Sequence, residues 1–199
     1  MNKIDVFLFD LGRVLVELDG PPLKQAWVAE VMSDEESWRR WGGSSLVKAF
    51  ESGEISPSDF CSGLVQEQNL TISPEAFKQA FVQWPKAVYP GVERMLQSLK
   101  ADYTLAFYSN TSELHVPRLM SDMGLGQYFD YGFASCEIGH FKPDESGFHH
   151  IIRQLEVPAE RFLFIDDNLA NVQAAQQVGM NAEQAEGFEA VAAVVNRWR

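Results

Sequence analysis

Four stretches, far apart in the chain, carry residues that do chemistry on charged groups: Asp10, Ser109 with Asn110, Lys142, and Asp166 with Asp167. A lone carboxylate, a hydroxyl beside an amide, an amine and a carboxylate pair form a set whose charges depend on one another. Three carboxylates brought together without compensation repel and raise each other's pKa. A hard divalent cation resolves that conflict, and magnesium takes one or two carboxylates, a carbonyl or water, and the oxygens of a bound phosphate. Lys142 then adds a mobile positive donor to the same anion. Ser109 and nearby backbone N–H groups are left for the remaining oxygens. An aspartate beside a metal is a competent nucleophile for phosphoryl transfer through an aspartyl-phosphate, and the metal shields the repulsion between attacking carboxylate and phosphate dianion.

These residues must be delivered to one place, and the apolar runs preceding them indicate how. Val6-Phe7-Leu8-Phe9 stops at Asp10, Thr104 to Tyr108 stops at Ser109, and Phe162 to Ile165 stops at Asp166. A weaker run, Tyr131 to Ala134, precedes Ser135. Continuous runs of this length predict strands covered on both faces, as in a parallel sheet. Helical spacing lies between them: Val92, Met95, Leu96 and Leu99; Leu114 to Met123; Phe148, Ile151, Ile152 and Leu155; Val172, Ala175 and Val178. The alternation predicts an α/β fold with a doubly wound, mostly parallel sheet. Its last strand is expected near Asn181 to Ala185, a poor strand former. Ligands of open α/β sheets bind beyond the carboxyl ends of the strands, so three polar clusters converge there. Lys142 precedes a proline between the second and fourth runs.

Residues 17–89 differ. They carry Trp27, Trp38, Trp41, Phe50, Phe60, Phe77, Phe81 and Trp84 at helix-like spacings. Ser56-Pro57 and Ser73-Pro74 are helix starts, with serine as N-cap and proline in the first turn. This segment is expected to be an all-helical insert with no strand, dividing a core domain of residues 1–16 and 90–199 from a helical domain of residues 17–89.

The formal net charge of −12 argues against nucleic acid and anionic membranes as partners. No apolar run approaches the roughly 18 residues of a membrane span. The first residues lack the pattern of a signal peptide. Cys61 and Cys136 are too few and too far apart for a disulfide framework or zinc knuckle. A cytoplasmic protein with reduced thiols, a monomer or small homo-oligomer, is expected.

Phe9-Asp10-Leu11-Gly12-Arg13-Val14, Ser109-Asn110, Lys142-Pro143-Asp144 and Asp166-Asp167-Asn168 occur in the order of the four motifs of the haloacid dehalogenase-like superfamily, which this chain resembles from residue 5 to about 180. The helical insert resembles the small cap of its subfamily I. The resemblance implies a magnesium-dependent phosphatase acting on a small phosphorylated metabolite. It implies Asp10 as nucleophile and metal ligand, the Gly12 carbonyl on the metal, Asp167 as direct ligand and Asp166 acting through water. Ser109 and Lys142 would bind the phosphate, and Asn110 would contact substrate. Phosphatases of this family usually carry a second aspartate two residues after the nucleophile, to protonate the leaving group and activate water. Here that position is Gly12, which removes help worth roughly 10²–10⁴ in rate. Glu17, Asp19 or His140 could substitute, or the substrate could leave easily, as the hemiacetal oxygen of a sugar 1-phosphate does. Some bacterial sugar-phosphate phosphatases of the superfamily share the Phe-Asp-Leu-Gly opening.

Two other functions fit Gly12. A metal-free 2-haloacid dehalogenase of the same fold also lacks the second aspartate, but Asp166 and Asp167 would repel its carboxylate substrate. A non-catalytic member would bind a phosphorylated ligand and release no phosphate. A phosphorylation receiver domain is set aside, because its acidic pair follows the first strand and its acceptor the third. His115, His149 and His150 are expected on helices as surface or partly buried residues, outside any metal site.

Overall fold

The structure, a computed structural model, describes residues 3–199. The chain runs β1 (Val6–Phe9), β2 (Val16–Leu18), α1 (Asp34–Gly43), α2 (Ser45–Glu51), α3 (Pro57–Glu67), α4 (Pro74–Val82) and β3 (Pro85–Val88). It continues through α5 (Val92–Leu99), β4 (Thr104–Ser109), β5 (Tyr131–Ala134), α6 (Ser135–Ile138) and α7 (Glu145–Leu155). It ends with β6 (Phe162–Asp166), α8 (Leu169–Gln177), β7 (Asn181–Gln184) and α9 (Gly187–Trp198). Five strands form one sheet in the order β5-β4-β1-β6-β7, and every pairing in it is parallel.

Strand periodicity of two decides which side chain meets which helix layer. Phe7 and Phe9 enter one apolar layer with Leu105, Phe107, Leu163 and Ile165, against α5 and α9. Val6 and Leu8 enter the other with Ala106, Tyr108, Phe162 and Phe164, against α7 and α8. Both faces of the central strands are therefore covered, which is why their sequences read as unbroken apolar runs. β1 lies at the centre: the chain passes from it to β4 and β5 on one side, then crosses over to β6 and β7 on the other. The carboxyl end of β1 is thus the switch point at which a ligand crevice opens.

The insert has its own apolar centre, built from Trp41, Phe50, Phe60, Leu64, Phe77 and Phe81 among others. Aromatic pairs bind its helices together: Phe50 stacks on Phe60 at 4.2 Å, and Trp41 sits 5.5 Å from Phe81. The Ser56 and Ser73 caps fall where expected, each accepting from the backbone N–H three residues on, with proline at the first helical position.

Three local expectations need correction. The insert is not free of strands: Val16–Leu18 and Pro85–Val88 pair antiparallel where the chain leaves and re-enters the core. Each is only three or four residues, too short to show a period. The helix expected over residues 114–123 is a turn followed by a π-helical segment, Arg118–Asp122. Pro117, with no N–H to give, sits inside that apolar pattern and blocks regular α-helix. His115 is buried rather than at the surface, 4% exposed. The weak last strand is present, at Asn181–Gln184.

Candidate active site

Register alone brings the main groups level. Phe9 lies opposite Phe107 on β4 and opposite Ile165 on β6. The next residue, Asp10, therefore stands beside Asp166 and one step short of Ser109. The three acids Asp10, Asp166 and Asp167 each offer an oxygen within 4.8 Å of the others. Lys142 enters between them. Its Nζ donates to Asp10 Oδ1 at 2.8 Å, to Asp166 Oδ2 at 2.6 Å and to the Tyr108 carbonyl at 2.8 Å. The ammonium is wholly enclosed, with the faces of Tyr108 and Phe164 each 5.3 Å away. Burial works against its charge, yet Asp10 and Asp166 together hold the amine protonated beyond the ordinary lysine range.

Asn110 fixes this lysine. Its Nδ2 donates to the Lys142 carbonyl at 2.9 Å, and its Oδ1 accepts from the Lys142 N–H at 2.8 Å. Both ends of the amide are engaged with the main chain of Lys142. Ser109 is buried at the end of β4 and lines the same cavity as Asp10.

The three acids differ in their surroundings. Asp166 is fully buried and satisfied: Oδ1 accepts from the Asn168 N–H at 2.8 Å, and both oxygens accept from Asn171 Nδ2 at 3.1 Å. Burial foremost, opposed by Lys142 and reinforced by Asp166, raises Asp10 above the ordinary carboxyl range. Asp167 is pushed up to about 7, by burial first and then by the charges of Asp10 and Asp166. It is paired with Arg13, whose guanidinium lies 3.0 Å from Asp167 Oδ2 and 2.6 Å from Glu186 Oε1, and Lys142 opposes the rise more weakly. Arg13 holds a left-handed φ of 59°, which turns its side chain under the Trp38 ring of the insert at 5.4 Å.

The donor set fits one hard cation. Lys142 is shared between Asp10 and Asp166, and Arg13 between Asp167 and Glu186, so four carboxylates face two cations. Among the described residues, nothing donates a hydrogen bond to the Gly12 carbonyl. Asn171 Oδ1 is buried without a partner, and its orientation is dictated, since reversing the amide would set oxygen against the Asp166 carboxylate. An acceptor orphaned in this way suits a water held by a hydrated ion.

Above the acids opens a cavity of about 840 Å³, within the range of small-molecule sites. Its floor is the sheet edge. Its far wall comes from the insert, with Trp38, Trp41 and Trp84 giving an apolar side. Among the described residues, one acid outside the cluster also lines it: Glu51, 6% exposed at the end of α2. Burial, and after it the Asp10 charge, pushes its carboxyl up to about 8. His115 lines the cavity too. Its Nε2 lies 2.6 Å from the Phe81 carbonyl, and burial lowers its pKa to about 4.

The residues singled out in the sequence, Asp10, Gly12, Ser109, Asn110, Lys142, Asp166 and Asp167, are brought to this one edge. Glu17, Asp19 and His140 are not. Glu17 pairs with Lys86 at 2.6 Å, Asp19 with Lys24 at 3.1 Å, and His140 Nδ1 meets Ser146 Oγ at 2.9 Å. None of the three lines the cavity. Arg13 and Glu51 escaped the sequence reading. Arg13 stood inside a quoted motif, and only its backbone conformation reveals its use.

A family model, haloacid dehalogenase-like hydrolase, matches residues 4–179. The chain is 29% identical over 174 residues to a probable phosphoglycolate phosphatase of Pseudomonas putida, covering 85% of this chain but 64% of that protein. It therefore spans less than two thirds of that relative's length. It is 24% identical over 186 residues to a D-ribitol-5-phosphate phosphatase of Bacteroides thetaiotaomicron, covering 90% of each. In three dimensions it is similar to a HAD family enzyme of Bacteroides thetaiotaomicron in complex with magnesium, at a TM-score of 0.81, 20% identity, and coverage of 98% and 99%.

Proposed function

The chain belongs to the haloacid dehalogenase-like hydrolase family, and from that premise we propose that it hydrolyses a small phosphomonoester through a phosphorylated Asp10, with magnesium bound among its acids. The observation that carries this reading is the buried ammonium of Lys142 between Asp10 and Asp166, beside the under-compensated Asp167. That is a charge pattern built around an anion and a cation together.

Asp10, Asp167 and the Gly12 carbonyl are the groups that would hold the ion, with Asp166 acting through water. When bound, magnesium supplies charge neutralisation between carboxylate and phosphate. Asp10 Oδ1 is occupied by Lys142, so the other oxygen is the one placed to attack phosphorus. The Ser109 hydroxyl donates to a phosphoryl oxygen, and the Lys142 ammonium, its protons held by Asp10, Asp166 and the Tyr108 carbonyl, supplies fixed positive charge beside the phosphoryl group. Asn110 serves as the clamp of Lys142, reaching substrate only through it. Residues 17–89 act as a cap, closing over the sheet edge to exclude water. The tryptophan wall accepts the carbon skeleton of the substrate. A cytoplasmic setting suits its two free cysteines.

The test is inorganic phosphate release from p-nitrophenyl phosphate, with magnesium and with EDTA, by wild type and Asp10→Asn. Release that needs both the metal and the Asp10 carboxylate supports the reading. Full activity of Asp10→Asn rejects it. Halide release from a 2-haloacid without metal would instead support a dehalogenase. Ligand stabilisation with no phosphate release would support a binding protein.

A further inference from the structure

The geometry points to Glu51 as the acid that protonates the leaving group, taking the part that Gly12 leaves vacant; this rests on the phosphatase reading above. In-line displacement sets attacking and leaving oxygens on opposite sides of phosphorus. Asp10 attacks from the sheet edge, so the leaving oxygen departs toward the insert. There Glu51 is the carboxylic acid on the cavity wall.

Its position is fixed from two sides. Phe50, its neighbour on α2, is buried in the insert and stacked on Phe60. Two residues beyond Glu51, Gly53 holds φ at +76°, with its backbone against the Cys136 carbonyl so closely that a Cβ would collide with it. The turn that presents Glu51 is thus docked on the core at one end and packed into the insert at the other. The carboxyl has no hydrogen bond or ion pair to any described residue. It lines the cavity, free of any partner that would hold its proton. Enclosure also keeps the proton on, as its elevated pKa indicates.

The other ionisable groups on the wall are committed or unsuited. His115 Nε2 is engaged by Phe81, Arg13 by Asp167 and Glu186, and Lys48 is exposed.

The step balances. An Asp10 oxygen forms the bond to phosphorus as the ester P–O bond breaks. The departing oxygen takes the Glu51 proton, giving the alcohol and the Glu51 carboxylate. Water then attacks the phosphorus of the aspartyl-phosphate and loses its proton to Glu51. The Asp10–P bond breaks, and phosphate leaves with both acids restored. With an acid in place, the leaving group needs no special acidity, which removes the chemical reason to expect a sugar 1-phosphate.

The test compares two aryl esters of nearly the same shape, phenyl phosphate and p-nitrophenyl phosphate, on wild type, Glu51→Gln and Glu51→Asp. The readout is kcat/KM, which reports the step that expels the leaving group. Phenol, with a pKa near 10 like tyrosine, needs the proton far more than p-nitrophenol. Glu51→Gln should lower kcat/KM for phenyl phosphate by about 10²-fold or more. It should widen the ratio between the two esters by about tenfold or more, and Glu51→Asp should recover part of it. Equal losses on both esters, or no loss on either, overturn the assignment and leave the phosphatase reading standing. If wild type releases phosphate from neither ester, the parent reading fails and this one with it. A wild-type melting temperature and magnesium requirement in Glu51→Gln separate chemistry from misfolding.

Discussion

At the scale of single residues, the site is governed by one buried cation and three acids. Removing Lys142 leaves Asp10 and Asp166 facing each other without compensation, and breaking a buried pair in this way costs about 3–5 kcal/mol. Lys142→Met should lower unfolding stability in urea by that amount and abolish phosphate release, and magnesium should restore part of the stability but none of the turnover. A variant as stable as wild type would contradict the charge balance described here. Asp167→Asn should act on the ion rather than on attack. The magnesium concentration for half-maximal activity should rise about 10–100-fold, and an unchanged requirement would remove Asp167 as a ligand. The residues at strand ends were legible in the sequence because each closes an apolar run, and Lys142 because it precedes a proline between two such runs. Glu51 and Arg13 were not. Glu51 looks like any acid at a helix end until the insert folds back over the sheet. Arg13 acquires its role from a left-handed turn that no neighbouring residue announces.

At the scale of elements, the central strands were legible for a physical reason: burial on both faces leaves no polar position to confuse the pattern. Where cover is partial or the element short, the signal fails, as it does for the ribbon of β2 with β3 and for residues 114–123. That last segment carries the junction between insert and core, where His115 meets Phe81 on α4. Unfolded, His115 binds a proton near its ordinary pKa of 6.5; folded, not until about 4. Across that window the unfolded chain holds the extra proton, so stability falls as pH falls. The loss amounts to roughly 3.5 kcal/mol when the window is fully crossed. His115→Gln should flatten the acid side of the stability profile between pH 6.5 and 4, and an unaltered slope would show that His115 titrates normally. The junction also depends on Gly53. Gly53→Ala imposes a left-handed φ on a side chain and a clash with the Cys136 carbonyl. It should cost about 1–3 kcal/mol and depress kcat more than the Asp10-dependent metal requirement, through displacement of Glu51. Full activity and stability would mean the turn relaxes freely.

At the scale of the molecule, an acidic chain of net charge −12 sets its buried ammonium, Lys142, at one end of its sheet and covers that end with an aromatic insert. Composition indicated that an anionic substrate would need local positive charge; that the insert would lie over the sheet edge was expected only from its resemblance to the family's small cap, since periodicity says nothing about where a helical unit docks. A ligand that binds only the folded state stabilises it by mass action, so magnesium should raise the melting temperature of wild type and leave Asp167→Asn nearly unmoved. Equal shifts in both would place the ion elsewhere. The most direct trial of the whole account is to mix enzyme, magnesium and p-nitrophenyl phosphate, quench in acid during turnover, and map the phosphoryl group by peptide mass spectrometry. The account predicts a labile phosphoryl on the peptide containing Asp10, absent in Asp10→Asn. Phosphate released at the wild-type rate with the label on another residue, or undiminished in Asp10→Asn, would contradict it.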